Sequence, residues 1–225
     1  MRRPRAEAAG AIHHVVPTGL RRGPIVLDSR DRAVYRDRFF SIARTREWVV
    51  HTDCLLATHH HAVVETPNAD LGVGMQRILG GYARWFNERH GFEGALFTGR
   101  FWSRRIVAAE QLLAACLYVD LNPVAAGLCR HPREWADGTY AHRPRAEQPT
   151  FLELLALLPG EGGDVPSVDY HDLIDLGSTG FAARHAANAS EAWEQALGLA
   201  YTWFPRDAAS STARRPDGEQ APGSG

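Results

Sequence analysis

Three groups of residues carry side chains suited to chemistry at phosphate. The first is the run His59-His60-His61. On a strand, alternate side chains share a face, so His59 and His61 point one way and His60 the other. Two imidazoles at that spacing can grip one divalent ion, and the same spacing also arises incidentally in strands. The second group is Tyr118 and Asn122, which share a helical face at i and i+4. A phenol and an amide oxygen there could approach one ion. The phenol could attack phosphorus once its proton, with a pKa near ~10, is removed or its oxygen positioned. Equally, Tyr118 could be a half-buried core residue and Asn122 a helix cap. The third group is GALFTGRFWS, residues 94–103. Its glycines let backbone approach a ligand, and Arg100 offers a planar fork for phosphate. Phe97, Phe101 and Trp102 could stack on unpaired bases, or form a hydrophobic hairpin packed on a sheet. Arg21, Arg22, Arg104 and Arg105 read either as solvated charges or as phosphate contacts.

The elements that must position these groups follow from periodicity and punctuation. AIHHVVPT (11–18) reads as a strand and GLRRGP (19–24) as a turn; IVL (25–27) reads as a short extension of sheet. Asp28 or Ser29 can cap a helix running to about Glu47. Residues 48–57 and 60–66 read as two antiparallel strands across a short turn. A helix from 67–70 to about Arg89 follows from the spacing of Leu71, Met75, Ile78, Leu79, Tyr82, Trp85 and Phe86, although Gly72, Gly74, Gly80 and Gly81 weaken it. Residues 101–108 read as a strand. Residues 110–121 read as a helix stopped near Asn122-Pro123, with a further short turn to Gly127. This order implies a split βαβ arrangement, an antiparallel sheet with helices mainly on one face. Residues 128–145 read as a packing tail, 151–160 as a short helix, and 181–204 as an Ala-rich helix. The expected domains are a basic disordered arm (1–10), a catalytic domain (11–145), a helical extension (146–205) and a disordered tail (206–225).

Composition narrows the partner. Residues 1–150 hold 21 of the 25 basic residues and 15 of the 26 acidic ones, a net +6, and the remainder carries −7. Every basic residue is arginine, and the basic half suggests an anionic partner such as nucleic acid. No apolar run has membrane-spanning length, and MRRPRAEAAGAIHH lacks the apolar core of a secretory signal. Cys54, Cys116 and Cys129 form no CxxC pair and are expected as free thiols in a reducing cytoplasm.

Several blocks, in order, resemble the REP-associated tyrosine transposases of the HUH (His-hydrophobic-His) single-strand transposase superfamily. CLLATHHHAVVE (54–65), MQRILGGYARWFNERHG (75–91), GALFTGRF (94–101), YVDLNPVAAGL (118–128) and WADGTY (135–140) carry the likeness. It covers roughly residues 11–142. The resemblance implies a ferredoxin-like antiparallel sheet working as monomer or homodimer on single-stranded or hairpin DNA in the cytoplasm, at the nucleoid. It implies Tyr118 as a nucleophile forming a 5′-phosphotyrosine. It also implies His59, His61 and Asn122 as ligands of Mg²⁺ or Mn²⁺. From their own chemistry, Arg21, Arg22, Arg100, Arg104, Arg105, Phe97 and Trp102 are the expected DNA contacts. The sequence departs from the family pattern at His60, where an apolar residue is usual. It departs at Ala57-Thr58, in place of Pro-Asn, which is expected to loosen the turn. It departs again at Thr18-Gly19-Leu20, in place of Arg-Gly-Asn, and Asp120 stands beside the nucleophile.

Two other readings remain at this point. One is a DNA-binding module that keeps the fold without chemistry. The other is a metal-dependent phosphodiesterase that uses water, with His59 and His61; Glu65 shares their strand face but lies ~13 Å along it, suited to a supporting role rather than to ligation.

Overall fold

The computed structural model describes residues 8–144 and 169–185. Four strands form one antiparallel sheet: β1 Ala11–Val16, β2 Val49–Leu55, β3 His60–Thr66 and β4 Trp102–Ile106, in the order β2-β3-β1-β4. Helices α1 Ser29–Thr45 and α2 Leu71–His90 are the crossovers of a ferredoxin-like βαββαβ unit. Helix α3, Ala109–Ala125, and a later helix, α4, Tyr170–His185, complete the described fold.

α1 starts where Asp28 accepts a bond from the Asp31 amide. Its buried positions Tyr35, Phe39 and Ala43 recur every four residues and face the sheet. α2 keeps its helical course through four glycines because two of them admit neighbours. A Cβ on Gly74 would meet the Trp48 ring, and one on Gly81 the Arg38 guanidinium. Asp28, which caps α1, and Asp31 in its first turn pair with Arg89 at the end of α2, which clasps the two helices.

The α+β class and the antiparallel sheet agree with the sequence reading, but the helices cover both faces rather than mainly one. α1 and α2 pack on Val15, Leu55, Ala62 and Val64. α3 and α4 pack on Ile12, Cys54, Val63 and Ile106, through residues such as Leu112, Cys116, Val119, Tyr170 and Ile174. The physical reason lies in β1 and β3, whose side chains are buried on both sides and need two apolar covers.

Other expectations shift in detail. Residues 25–27 form no strand; Ile25 and Val26 are buried in irregular backbone, with the Ile25 amide donating to the Ala57 carbonyl. Pro123 does not end α3. It lies within the last turns, where it removes one donor while burial of Val124 holds the turn, and Gly127 at φ 70° closes it. α4 lies within the expected helical extension but starts at Tyr170, ahead of the helix read at 181–204, which it overlaps only at 181–185. Cys54 and Cys116 are buried free thiols, and Cys129 is half-buried. The expected short helix at 151–160, the part of the 181–204 helix beyond His185, the tail after Arg206 and most of the N-terminal arm lie outside the described residues. Among the described residues no helix is long and apolar enough to cross a membrane.

Candidate active site

The site is built on the face of the sheet that α3 covers. His59 immediately precedes β3, bridged to Thr18, and His61 lies two residues on. Their rings stand edge to face with centroids 4.8 Å apart. α3 crosses the same face, so the Tyr118 ring meets His61 edge-on at 5.4 Å. Asn122 follows one turn later on α3, and both it and Tyr118 are only 9% exposed. Strand alternation and helical spacing therefore bring together the histidine pair and the tyrosine read from the sequence.

The structure adds a residue with no role in the sequence reading. His14, on β1, stacks on His61 with centroids 5.2 Å apart, and its Nε2 lies 3.0 Å from His61 Nδ1. It also meets Trp102 at 5.3 Å and Tyr118 at 6.0 Å. The signal was present: β1 is the strand next to β3, and alternation puts His14, not His13, on the shared face.

His60 points the other way, as alternation requires. It sits edge-on to Tyr35 and Phe39, shares a hydrogen bond of 3.2 Å with the Tyr35 hydroxyl through Nδ1, and lies 3.1 Å from Asp53 Oδ2 through Nε2. Asp53 in turn receives Arg36 Nη1 at 2.8 Å and the Thr139 hydroxyl. A histidine in place of an apolar spacer thus has buried polar partners on the α1 side. The turn before it is not loosened. The Gly19 amide donates to the Thr58 carbonyl at 2.8 Å, and the Thr58 hydroxyl shares a 2.9 Å bond with His59 Nδ1. Asp120 faces away from the site, bonded to the Thr52 hydroxyl and accepting from the Tyr170 hydroxyl of α4 at 2.6 Å.

The proposed DNA contacts divide. Trp102 is 37% exposed beside His14, and Arg104 lies opposite His14 in the β1–β4 register, so both belong to the α3 face. Arg105 follows Arg104 on the strand and therefore projects from the other face. Arg21 and Arg22 are exposed in a short 3₁₀ turn at φ 54° and 59°, a conformation rare for non-glycine residues and characteristic of functional loops. Arg100 is exposed just after Gly99, at φ 53°. Phe97 is corrected: it is 8% exposed in the α1–α2 core against Tyr82, because the Gly19–Phe97 bridge turns it inward. Glu65 is also displaced from the site, with its carboxylate 3.7 Å from His51 Nε2.

Electrostatics keep the histidines neutral. Burial, then the nearby His60, pushes His14 down to about 3. Burial, then His60 and Arg22, pushes His59 down to about 4. Burial, then His59, His14 and His60, holds His61 well below its ordinary value. Neutral imidazoles are the form that ligates a metal. Among the described residues His61 Nε2 is buried without a hydrogen-bond partner, a cost that an ion would relieve. Among the described residues no three His, Cys, Asp or Glu side chains converge on one point. His59 and His61 bring two imidazoles to this face, and Asn122, one turn after Tyr118 on α3, carries an amide oxygen; donors of these types would suit Mg²⁺ or Mn²⁺.

This arrangement fixes an expected pH response. A histidine whose folded pKa lies below its unfolded 6.5 loses stability as pH falls through 6.5, by up to about 1.4 kcal/mol per unit. His14, His59, His60 and His61 act in that direction, as does His51, which burial and Arg143 push down to about 4. Asp120 opposes them. Burial raises its carboxyl to about 6 against the pull of Thr52 and Tyr170, so its contribution grows as pH falls through 6. Five groups outweigh one. Urea melts of chelator-treated protein should show stability falling by several kcal/mol between about pH 7 and pH 5, and a flat or rising profile would contradict the burial of these rings.

No family model matches the sequence, and no curated protein matches it. Among solved structures, the fold is similar to a REP-associated tyrosine transposase bound to a REP hairpin. The TM-score is 0.54 at 16% identity, over 76% of this chain and 96% of that one. A crystal structure of a candidate transposase from Deinococcus radiodurans overlaps 47% of this chain and 86% of its own, at a TM-score of 0.37 and 14% identity. The topology and the motif blocks agree: this chain has the fold of a REP-associated tyrosine transposase.

Proposed function

We propose that the protein is a metal-dependent transposase that cuts and rejoins single-stranded DNA beside hairpin elements. The observation that carries this reading is the Tyr118 ring set edge-on to His61, on the face that also holds His59. Tyr118 Oη would attack the scissile phosphorus. The P–O3′ bond breaks, the 5′-phosphate passes to the tyrosine, and the departing 3′-oxygen takes up a proton. The phosphodiester energy is kept in the tyrosyl ester, so a later 3′-hydroxyl can reverse the step and reseal the strand without ATP. His59, His61 and Asn122 would hold the ion, and the ion would neutralise charge building on the phosphate oxygens. Arg22 and Arg104, at the two margins of the site, would bind the flanking phosphates, Arg21 and Arg100 would extend that contact, and Trp102 would stack a base. The DNA seen with the structural neighbour is a hairpin, and the basic half of this chain suits such a partner.

A labelled hairpin with single-stranded flanks, incubated with full-length protein and Mn²⁺, tests this. Cleavage should require the metal. His61→Ala should slow it roughly 100-fold or more, since metal stabilisation of the transition state is worth several kcal/mol. Equal cleavage in chelator would overturn the metal role. Hairpin binding without any cleavage would favour a non-catalytic DNA-binding module.

A further inference from the structure

We infer that His14 is a positioning residue that fixes the tautomer and orientation of His61 for metal binding; this rests on the reading of His61 as a ligand. His61 offers the ion its buried Nε2, which has no hydrogen-bond partner among the described residues. Ligation through Nε2 requires the ring proton on Nδ1. The acceptor in reach of Nδ1–H is His14 Nε2, at 3.0 Å. A metal-bound histidine generally donates its other N–H to a partner that sets its rotation and raises its basicity. That partner is usually a carboxylate or carbonyl; here it is a second imidazole.

Three further contacts hold His14 in place. β1 carries it in register opposite Val63, two residues from His61 on the neighbouring strand, which is the diagonal cross-strand position. Trp102 from β4 and Tyr118 from α3 meet its ring edge-on at 5.3 and 6.0 Å. His14 Nε2 accepts in the tautomer that carries its own proton on Nδ1. His59 has a separate support in the Thr58 hydroxyl, at 2.9 Å from its Nδ1. The two ligands therefore have different holders, and only that of His61 lies on β1.

The test compares full-length parent, His14→Phe, which keeps a ring and loses the acceptor, and His14→Gln, whose Oε1 falls near the lost Nε2. Nitrogen NMR of metal-free protein reads the His61 tautomer, and titration reads Mn²⁺ affinity. The parent should show the Nδ1–H form. His14→Phe should lose that single tautomer and bind Mn²⁺ roughly 10- to 100-fold more weakly, and His14→Gln should recover most of the loss. A parent with the His61 proton on Nε2, or His14→Phe with unchanged tautomer and affinity, would overturn the inference. Pulsed EPR showing three imidazole nitrogens on Mn²⁺ would also overturn it, by making His14 a ligand. If His14→Phe fails to fold, the parent tautomer and the nitrogen count still decide. A parent that binds no Mn²⁺ but shows the Nδ1–H form, lost in His14→Phe, would sink the metal reading while upholding the orienting contact.

Discussion

Tyr118→Phe is expected to abolish strand cleavage, by at least about 10³-fold, and to eliminate any covalent protein–DNA product. The substitution removes one oxygen and keeps the ring. The edge contacts to His61 at 5.4 Å and to His14 at 6.0 Å remain, as does the apolar packing of α3 on the sheet. Hairpin affinity and Mn²⁺ affinity should therefore stay close to those of the parent. This separation makes the variant informative. Unchanged cleavage would remove Tyr118 as nucleophile and restore a water-using phosphodiesterase. Glu65 would be a poor base for that alternative, because it sits against His51 rather than at the histidine pair.

The second large effect concerns stability. Asp53→Asn should destabilise the fold by about 3 kcal/mol, because removing one partner of a buried ion pair leaves the other uncompensated. The Asp53 side chain is fully buried and holds Arg36, His60 and Thr139 together. Burial alone would raise its carboxyl, but the His60 bond, the Arg36 charge and the Thr139 bond outweigh it and hold the group below its usual value. Asp53 thus remains charged across the range in which the histidines titrate. Arg36 keeps one other acceptor, the Asp137 carbonyl at 2.6 Å, which limits the loss. For a domain of this size the expected fall in Tm is roughly 6–12 °C. A change below about 1 kcal/mol in a urea melt would show that the network is not a stabilising anchor of β2 and β3. Because His60 stands between the two proposed ligands, the same variant should also weaken Mn²⁺ binding.

Much of this architecture is legible in the sequence because the relevant signals are local. Asp28 announces α1, the apolar run Ala62-Val63-Val64 after the histidines is buried in β3, and the Tyr118–Asn122 spacing survives as one helix face. What was not legible depends on tertiary partners. α3 continues past Pro123 because burial of Val124 outweighs a local penalty. Phe97 turns inward because a bridge to Gly19 fixes its strand face, which no pattern in GALFTGRFWS reveals. His60 looked like a defect until Asp53 and Tyr35, distant in sequence or on another element, appeared as its partners. His14 needed knowledge of strand order: it matters only because β1 lies beside β3. α4 starts earlier than the helix read at 181–204 because its anchors are long-range: Tyr170 and Ile174 pack under α3, and the Tyr170 hydroxyl donates to Asp120.

If the proposed chemistry holds, Tyr118 itself takes the DNA strand. Full-length protein is incubated with Mn²⁺ and a hairpin bearing single-stranded flanks, denatured, digested with nuclease and protease, and its peptides are weighed. The account predicts a 5′-phosphonucleotide on the peptide containing Tyr118, localised to that residue by fragmentation and absent when the metal is chelated. Cleaved DNA with no nucleotide attached to protein, or attachment at any other residue, would contradict it.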